Sequence, residues 1–288
     1  MSFTIQGLLG IFNLEELELN LFRGQSPATG LQRVFGGQVI GQALTAAQKT
    51  VDPERFVHSL HCYFLLGGDP SIPIVYHVER IRDGGSFTTR RVTAIQHGRP
   101  IFSLMASFQK HEEGLSHQIE MPKNVPTPAE LPEREEILEK IRHTMPDQMK
   151  AFWQNQTLVD IRPTGIEHFT TQQKLPPIQN VWMRITEPLP DDPALSAALL
   201  AYLSDMTLLD ASTYAHGRRL FDDDLQSASL DHAMWFHRPF ILNEWLLYSQ
   251  DSPSSQGSRG LSRGSIYTAD GILVASVAQE GLMRLRTK

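Results

Sequence analysis

The sequence predicts an α+β chain made of two repeats, each an antiparallel sheet wrapped around a buried helix. Three observations carry this prediction. The order of segments in the first half returns in the second, each half contains a helix that is apolar nearly all round, and each half ends in strand-like runs joined by hairpin turn signals.

The elements follow in order. The N-terminal stretch "MSFTIQGLLGIFNLEELELNLF" mixes acidic residues into its apolar run and lacks a basic leader region, so it reads as an amphipathic helix rather than a signal peptide. Next comes "FGGQVIGQALTAAQ", a helix with no charge between Arg33 and Lys49. Such a helix is buried on every side. Four strand-like runs follow, "FVHSLHCYFLL", "PIVYHVERIR", "SFTTRRVTAIQHG" and "RPIFSLMASFQ", with a turn signal at Asp83-Gly84-Gly85. From His111 to about Asn180 the composition shifts to Pro, Glu and Gln, which is linker chemistry. Within it, "LPEREEILEKIRHTM" spaces Ile137, Ile141 and Met145 for a surface helix on a long crossover. The pattern then returns as "LSAALLAYLSDMTLL", "SASLDHAMWFH", "NEWLLYSQ", "RGLSRGSIYTADG" and "ILVASVAQEGLMRL", with Asp270-Gly271 as a strong hairpin turn. The boundaries are placed at 1–110 for the first repeat, 111–158 for the crossover and 159–288 for the second repeat.

Two matches set the register between halves: Ser59-Leu60 against Ser229-Leu230, and Arg90 with Gly98 against Arg263 with Gly271. A meander around one buried helix, present twice, describes a double hotdog with its two sheets joined edge to edge.

Composition narrows the function. With 288 residues, 41% hydrophobic, the chain has ample core material, and a formal net charge of -6 argues against nucleic acid as a partner. One cysteine, Cys62, excludes an internal disulfide and fits a reducing compartment. No Cys/His cluster has metal-ligand spacing and no stretch looks long and apolar enough to span a membrane, so neither a metal nor a membrane anchor is expected. The ending Arg286, Thr287, Lys288 is not a peroxisomal address, and the expected location is the cytoplasm. Hotdog sheets commonly associate further, so a homodimer or homotetramer is expected.

Several motifs invite a chemical reading. "GLSRG", Gly260 to Gly264, fits the nucleophile-elbow pattern, but Ser262 is followed by a strand rather than a helix. The hydrolase order also requires a histidine downstream, and the last one is His237. Ser262 is therefore read as structural. Cys62 shares a strand face with His58 while His61 points away, and a small buried hydrophobe explains it best. Gly36 and Gly37 sit at a helix start, where they allow close approach and leave backbone N–H groups free to face an oxygen.

Asp205 is the strongest physical clue. A lone carboxylate within an apolar helix loses its hydration, at a cost of roughly several kcal/mol unless partners or a wet cleft compensate. An ungapped register sets it against Gln42, and Gln279 against Ala106, so only the second half carries the acid and the amide. Ser229 has a hydroxyl twin in Ser59. By themselves, Ser229 and Gln279 read equally as a strand-start hydroxyl and a polar residue on a solvated strand face.

The segments "VFGGQVIGQAL", "VHSLHCYF", "HGRPIFSLMASFQ", "DHAMWFHRPF" and "VASVAQEGLMR" closely resemble the acyl-CoA thioesterase II family, from the N-terminal helix to Met283. That resemblance implies a double hotdog enzyme hydrolysing fatty acyl-CoA to free fatty acid and CoA without a metal or cofactor. It further implies that Asp205, Ser229 and Gln279 jointly hold the attacking water, with Ser229 where Thr is commoner in the family. Of the three side chains only Asp205 can accept a proton at neutral pH, which makes it the general base. His58 is a candidate to orient the thioester. Arg90, Arg91, Arg259 and Arg263 are candidates for the CoA phosphates, against the plainer reading of a solvated sheet face. Two rival readings are an enoyl-CoA hydratase or dehydratase, which needs an Asp/His pair such as Asp231-His232, and a protein that binds acyl-CoA without turnover.

Overall fold

The computed structural model describes residues 4–27 and 30–286. Helix α1 (Ile5–Phe12) precedes a short hairpin, β1 (Glu15–Glu18) and β2 (Leu21–Gly24). The helix expected across this stretch therefore stops early, at its C-cap Asn13, and the acidic run after it forms a hairpin that turns at Asn20 with φ 62, a conformation Asn tolerates. Helix α2 (Gly36–Gln48) follows, then β3 (Arg55–Phe64), β4 (Ile74–Asp83), β5 (Phe87–Gln96) and β6 (Arg99–Lys110). The crossover carries α3 (Arg134–Ile141) and α4 (Asp147–Asn155), and β7 (Val159–Pro163), the single turn α5 (Glu167–Thr170) and β8 (Ile178–Ile185) come next. Then come α6 (Pro193–Ser204), the short α7 (Ala211–Tyr214), β9 (Leu225–Ser229), β10 (Asp231–Phe236), β11 (Leu246–Gln256), β12 (Arg259–Thr268) and β13 (Leu273–Leu285).

The strands form one antiparallel sheet in the order β1-β2-β4-β5-β6-β3-β10-β13-β12-β11-β8-β7, with β9 paired to β13. Each half is thus a five-stranded unit, β2-β4-β5-β6-β3 and β8-β11-β12-β13-β10, with its helix leaving the outermost of these strands. The units meet where β3 pairs with β10, and His61 opposite Ala233 marks the local two-fold axis. The double hotdog expected from the sequence is the fold observed. Helices α2 and α6 pack against each other inside the curved sheet, and their apolar residues merge into one core.

The ladders correct the expected register. Arg91 opposes Glu79 and Arg263 opposes Asp251 at matching places, and each pair forms an ion pair on the exposed face. Arg263 therefore matches Arg91, and the inward-facing Arg90 matches Ser262. Around the axis, Tyr63-Phe64 falls on Trp235-Phe236, so Ser59-Leu60 matches Asp231-His232 rather than Ser229-Leu230. The hairpin glycines misled because the β12–β13 turn is longer than the β5–β6 turn and both ladders shift near it.

The helix ends require a second correction. Asp192 caps α6, accepting from the N–H groups of Ala194 and Leu195, and Pro193 starts it without a missing bond. Asp205 is the C-cap of this helix, whereas Gln42 lies mid-α2 and donates to the backbone oxygens of Ile11 and Gln25. By helix ends, Asp205 corresponds to Lys49, the C-cap of α2.

A third correction concerns length. The helical run Pro193–Tyr214 is long and apolar enough to cross a membrane, contrary to expectation, but most of it is buried as the core of the second repeat. The crossover is also more than a surface helix, since Ile137, Ile141 and Met145 are buried together, packed against Trp153 of α4 and Phe169 of α5.

Candidate active site

A cavity of about 690 Å³ opens between the two repeats and the crossover. Its walls are mainly apolar, including Val39 of α2, Phe64 of β3, Ile137 of α3 and Phe152 of α4, and Asp205 and Ser229 reach it among these. Such a space suits a long apolar chain presented to a few polar groups.

Asp205 sits where α6 ends and α2 begins. The last carbonyls of α6 disfavour negative charge, while the first N–H groups of α2 favour it. The side chain is only 5% exposed, and burial pushes its pKa up to about 7. Gln279, whose Nε2 donates to Oδ1 at 2.7 Å, and the Gly37 amide oppose that shift. The glycines are dictated by space. A Cβ on Gly36 would stand 2.6 Å from Asp205 Oδ2, and one on Gly37 would strike the Tyr202 carbonyl.

Ser229 closes β9, opposite Gly281 of β13, and lines the cavity. Gln279 is different: it is fully buried, is not among the residues that line the cavity, and reaches Asp205 through its Nε2. Beside it stands His232, 0% exposed, with Nδ1 3.9 Å from Asp205 Oδ1. The sequence reading missed this neighbour of Asp205. The ladder explains it, since Ala233 opposite Ala278 sets His232 beside Gln279 on the inner face. In the first repeat the matching inner residues are Leu60 and Ala106. A histidine where its twin is leucine was the available signal, hidden by the wrong register.

Several expected site residues lie elsewhere. His58 meets the Ser107 hydroxyl at 2.8 Å and packs on Phe87. Because Ser107 alternates with the buried Ala106 and Phe108, His58 is on the face opposite the cavity and orients nothing there. Arg90 is 2% exposed, and its guanidinium donates to Asp83, to Thr50 and to the Arg82 and Thr89 carbonyls, leaving nothing for a phosphate. Arg263 donates to Asp251 at 2.9 and 2.7 Å, and Arg91 and Arg259 are paired with Glu79 and Glu280. Neither Arg90 nor Arg263 lines the cavity. Ser262 is enclosed opposite Gln279 with no hydrogen bond to its Oγ, the reverse of an exposed nucleophile. Cys62 donates to the His232 carbonyl, and burial pushes its thiol well up, away from the reactive thiolate. Among the described residues no group of three or more His, Cys, Asp or Glu could hold a metal ion.

The fold and the site together define a double hotdog protein with two near-neutral carboxylates, Asp205 and Asp210, at the wall of an apolar cavity, of which Asp205 is the one held by Gln279 and the start of α2. Comparison with known proteins agrees with that definition. Residues 150–282 match the family model described as acyl-CoA thioesterase, and residues 23–109 match the acyl-CoA thioesterase N-terminal domain. The chain is 37% identical to acyl-CoA thioesterase 2 of Haemophilus influenzae over 284 residues, covering 99% of both. It is 38% identical to human acyl-coenzyme A thioesterase 8, covering 96% of this chain and 88% of that one. Among solved structures, an acyl-CoA thioesterase II from Mycobacterium marinum superposes with TM-score 0.79 at 45% identity, over 97% of this chain and 98% of the other. The chain belongs to the acyl-CoA thioesterase family.

Proposed function

We propose that this protein hydrolyses fatty acyl-CoA to free fatty acid and CoA by direct attack of a water molecule activated by Asp205. The observation that carries this reading is a near-neutral carboxylate, Asp205, on the wall of an apolar cavity and held there by Gln279 and the Gly37 amide, which Asp210, the other near-neutral carboxylate on that wall, lacks. A base whose pKa lies near the working pH combines a useful ionised fraction with real proton affinity.

The roles divide by position. Ser229 holds the water from the cavity side, and Gln279, which does not line the cavity, fixes the carboxylate, so that one free oxygen lobe faces the water. The water oxygen bonds to the thioester carbon as its proton passes to Asp205. The carbonyl oxygen becomes anionic, and the N–H of Gly36, at the start of α2 on the cavity wall, is the donor we assign to it. The tetrahedral intermediate then breaks its C–S bond, and the thiolate of CoA takes the proton back from Asp205.

The hydratase reading requires a histidine that can reach substrate. His232 is fully enclosed and does not line the cavity, which favours hydrolysis. A pure binding protein would gain nothing from a desolvated carboxylate fixed by Gln279. In this reading the enzyme needs no metal or cofactor, works in the cytoplasm without a membrane anchor or nucleic-acid partner, and assembles as a homodimer or homotetramer. A thiol-reactive dye following CoA release over a series of acyl chain lengths tests the activity, and absence of release at every length would defeat it.

A further inference from the structure

A second polar cluster lies along the cavity from Asp205. Asp210 ends a 3-10 turn, Leu208–Asp210, and lines the cavity together with Met145, Phe169, Leu220 and Phe221. Leu209 of that turn lies over Gly281, two residues beyond Gln279 on β13, which is about 7 Å of strand. The turn thus leads away from the carboxylate that Gln279 holds. At Asp210 the cavity adjoins a recess of about 10 Å³, the space of one oxygen atom. The recess shares those five residues with the cavity, and the four it adds, Thr144, His168, Thr213 and Arg219, all carry hydrogen-bonding groups.

None of the four serves the Asp210 carboxyl. Thr144 and Thr213 donate their hydroxyl protons to the carbonyls of Ile141 and Asp210, and Arg219 donates to Asp222 and to the Phe169 carbonyl. The carboxyl has neither a hydrogen bond nor an ion pair among the described residues, and burial pushes its pKa up to about 7. Two buried atoms nearby are also unpartnered, His168 Nε2 and Tyr214 Oη, on rings whose centroids are 4.2 Å apart. The charge of Asp210 adds to the burial that raises the Tyr214 phenol, so the two are within electrostatic reach. Unmade hydrogen bonds of this kind are costly, and three unpartnered groups around a space for one oxygen call for a function.

From this geometry we infer that Asp210, with His168 beside it, forms a specificity-determining subsite for a hydroxyl group on the acyl chain, at a carbon remote from the thioester. The inference rests on the acyl-CoA hydrolysis proposed above. A hydroxyl complements the recess in size and in chemistry. It fills the space of one oxygen, and it can both donate to a carboxylate and accept from a carboxylic acid. A methylene in the same place would leave Asp210 and His168 unpaired, and a site built around such groups rejects the analogue that lacks the hydroxyl. CoA phosphates do not suit it, because the carboxylate repels them and the neighbouring Met145, Phe169, Leu220 and Phe221 suit hydrocarbon.

The test is kcat/KM, followed by CoA release, for a saturated long-chain acyl-CoA and for chains of the same length hydroxylated in turn at C3, at mid-chain and at the terminal carbon. The wild type should favour one remote hydroxyl isomer over the plain chain by about tenfold or more, and the C3 isomer by less. Asp210→Leu should remove that preference and raise kcat/KM for the plain chain, because the apolar wall becomes continuous. Asp210→Asn, which keeps an acceptor and a donor in the same shape, should retain most of the preference. Calorimetric titration of the favoured chain into Asp205→Asn protein should show the same ranking as affinity, lost in the Asp205→Asn, Asp210→Leu double variant. A wild type that treats plain and hydroxylated chains alike, a preference greatest at C3, or a preference that survives Asp210→Leu overturns the inference. If Asp210→Leu does not fold, Asp210→Ala carries the same comparison. Wild-type enzyme that releases no CoA from any chain would instead defeat the hydrolytic reading beneath it.

Discussion

Gln279 donates to Asp205 Oδ1 at 2.7 Å while remaining fully enclosed, so the amide governs the carboxylate rather than the cavity surface. Gln279→Ala should therefore lower kcat by about tenfold or more, with KM little changed. Because the amide acts through the base, its loss should be far from additive with Asp205→Asn. A double variant showing the full product of the two single losses would contradict this coupling.

Gln42 provides the contrast. It is also buried, and accepts a hydrogen bond from the Tyr76 hydroxyl at 2.7 Å while donating to two backbone oxygens. Gln42→Ala should cost stability, about 1–3 kcal/mol for the polar groups left unpaired, with turnover per folded molecule close to wild type. Chemical denaturation and kcat measured on the same samples separate the two effects.

Asp205 should control both activity and stability through pH. Since its ionised form is the base, kcat/KM should rise as pH rises through about 7. Asp205→Asn should lower kcat by roughly 10² to 10⁴-fold. For stability the sign runs the other way. The folded carboxyl binds a proton more tightly than the unfolded one, so the wild type loses stability as pH climbs from about 4 to about 7. The Tm advantage of Asp205→Asn should accordingly grow over that window and level off above it. A constant difference from pH 4 to 8 would count against the raised pKa.

Ser262→Ala should leave turnover near normal. Its hydroxyl makes no hydrogen bond, so removing it should be neutral or slightly stabilising. No acyl group should be recoverable on the protein after quenching, and an acylated Ser262 peptide by mass spectrometry would restore a serine-hydrolase mechanism.

Gly36→Ala should damage catalysis more than folding, because the new Cβ would meet the Asp205 carboxylate at 2.6 Å and displace it. Gly37→Ala meets the Tyr202 backbone instead and should destabilise the packing of α2 on α6. Thermal melts and kcat across the pair check this division.

The architecture is legible in the sequence because its signals are local: two charge-poor helices, alternating strands and hairpin turns each declare themselves within a dozen residues. Asp205 stands out for the same reason, as one charge in an apolar run. Its surroundings are less legible. Whether Arg90 faces inward or outward depends on ladder register, and a slip of one residue exchanges it with Arg91. That slip made Arg90 look available to a phosphate, and a separate slip of two residues, which set Ser59-Leu60 on Ser229-Leu230, hid the match of His232 to Leu60. The N-terminal hairpin escaped notice because its strands are short and β1 is fully exposed, with no buried face to impose an apolar pattern.

The β3–β10 seam has a consequence for the number of active sites. Two identical units meeting across the axis at His61 and Ala233 would be obliged to carry two identical centres, because whatever one contributes the other must contribute as well. Joining the units in one polypeptide lifts that obligation. Here one helix ends in Asp205 and its counterpart in Lys49, so with Asp205 as the proposed base the stoichiometry is one reaction centre per 288 residues. On that reading a mutation in the first repeat reshapes the wall of the centre without duplicating itself in a second, which lets substrate selectivity drift while the acid stays fixed.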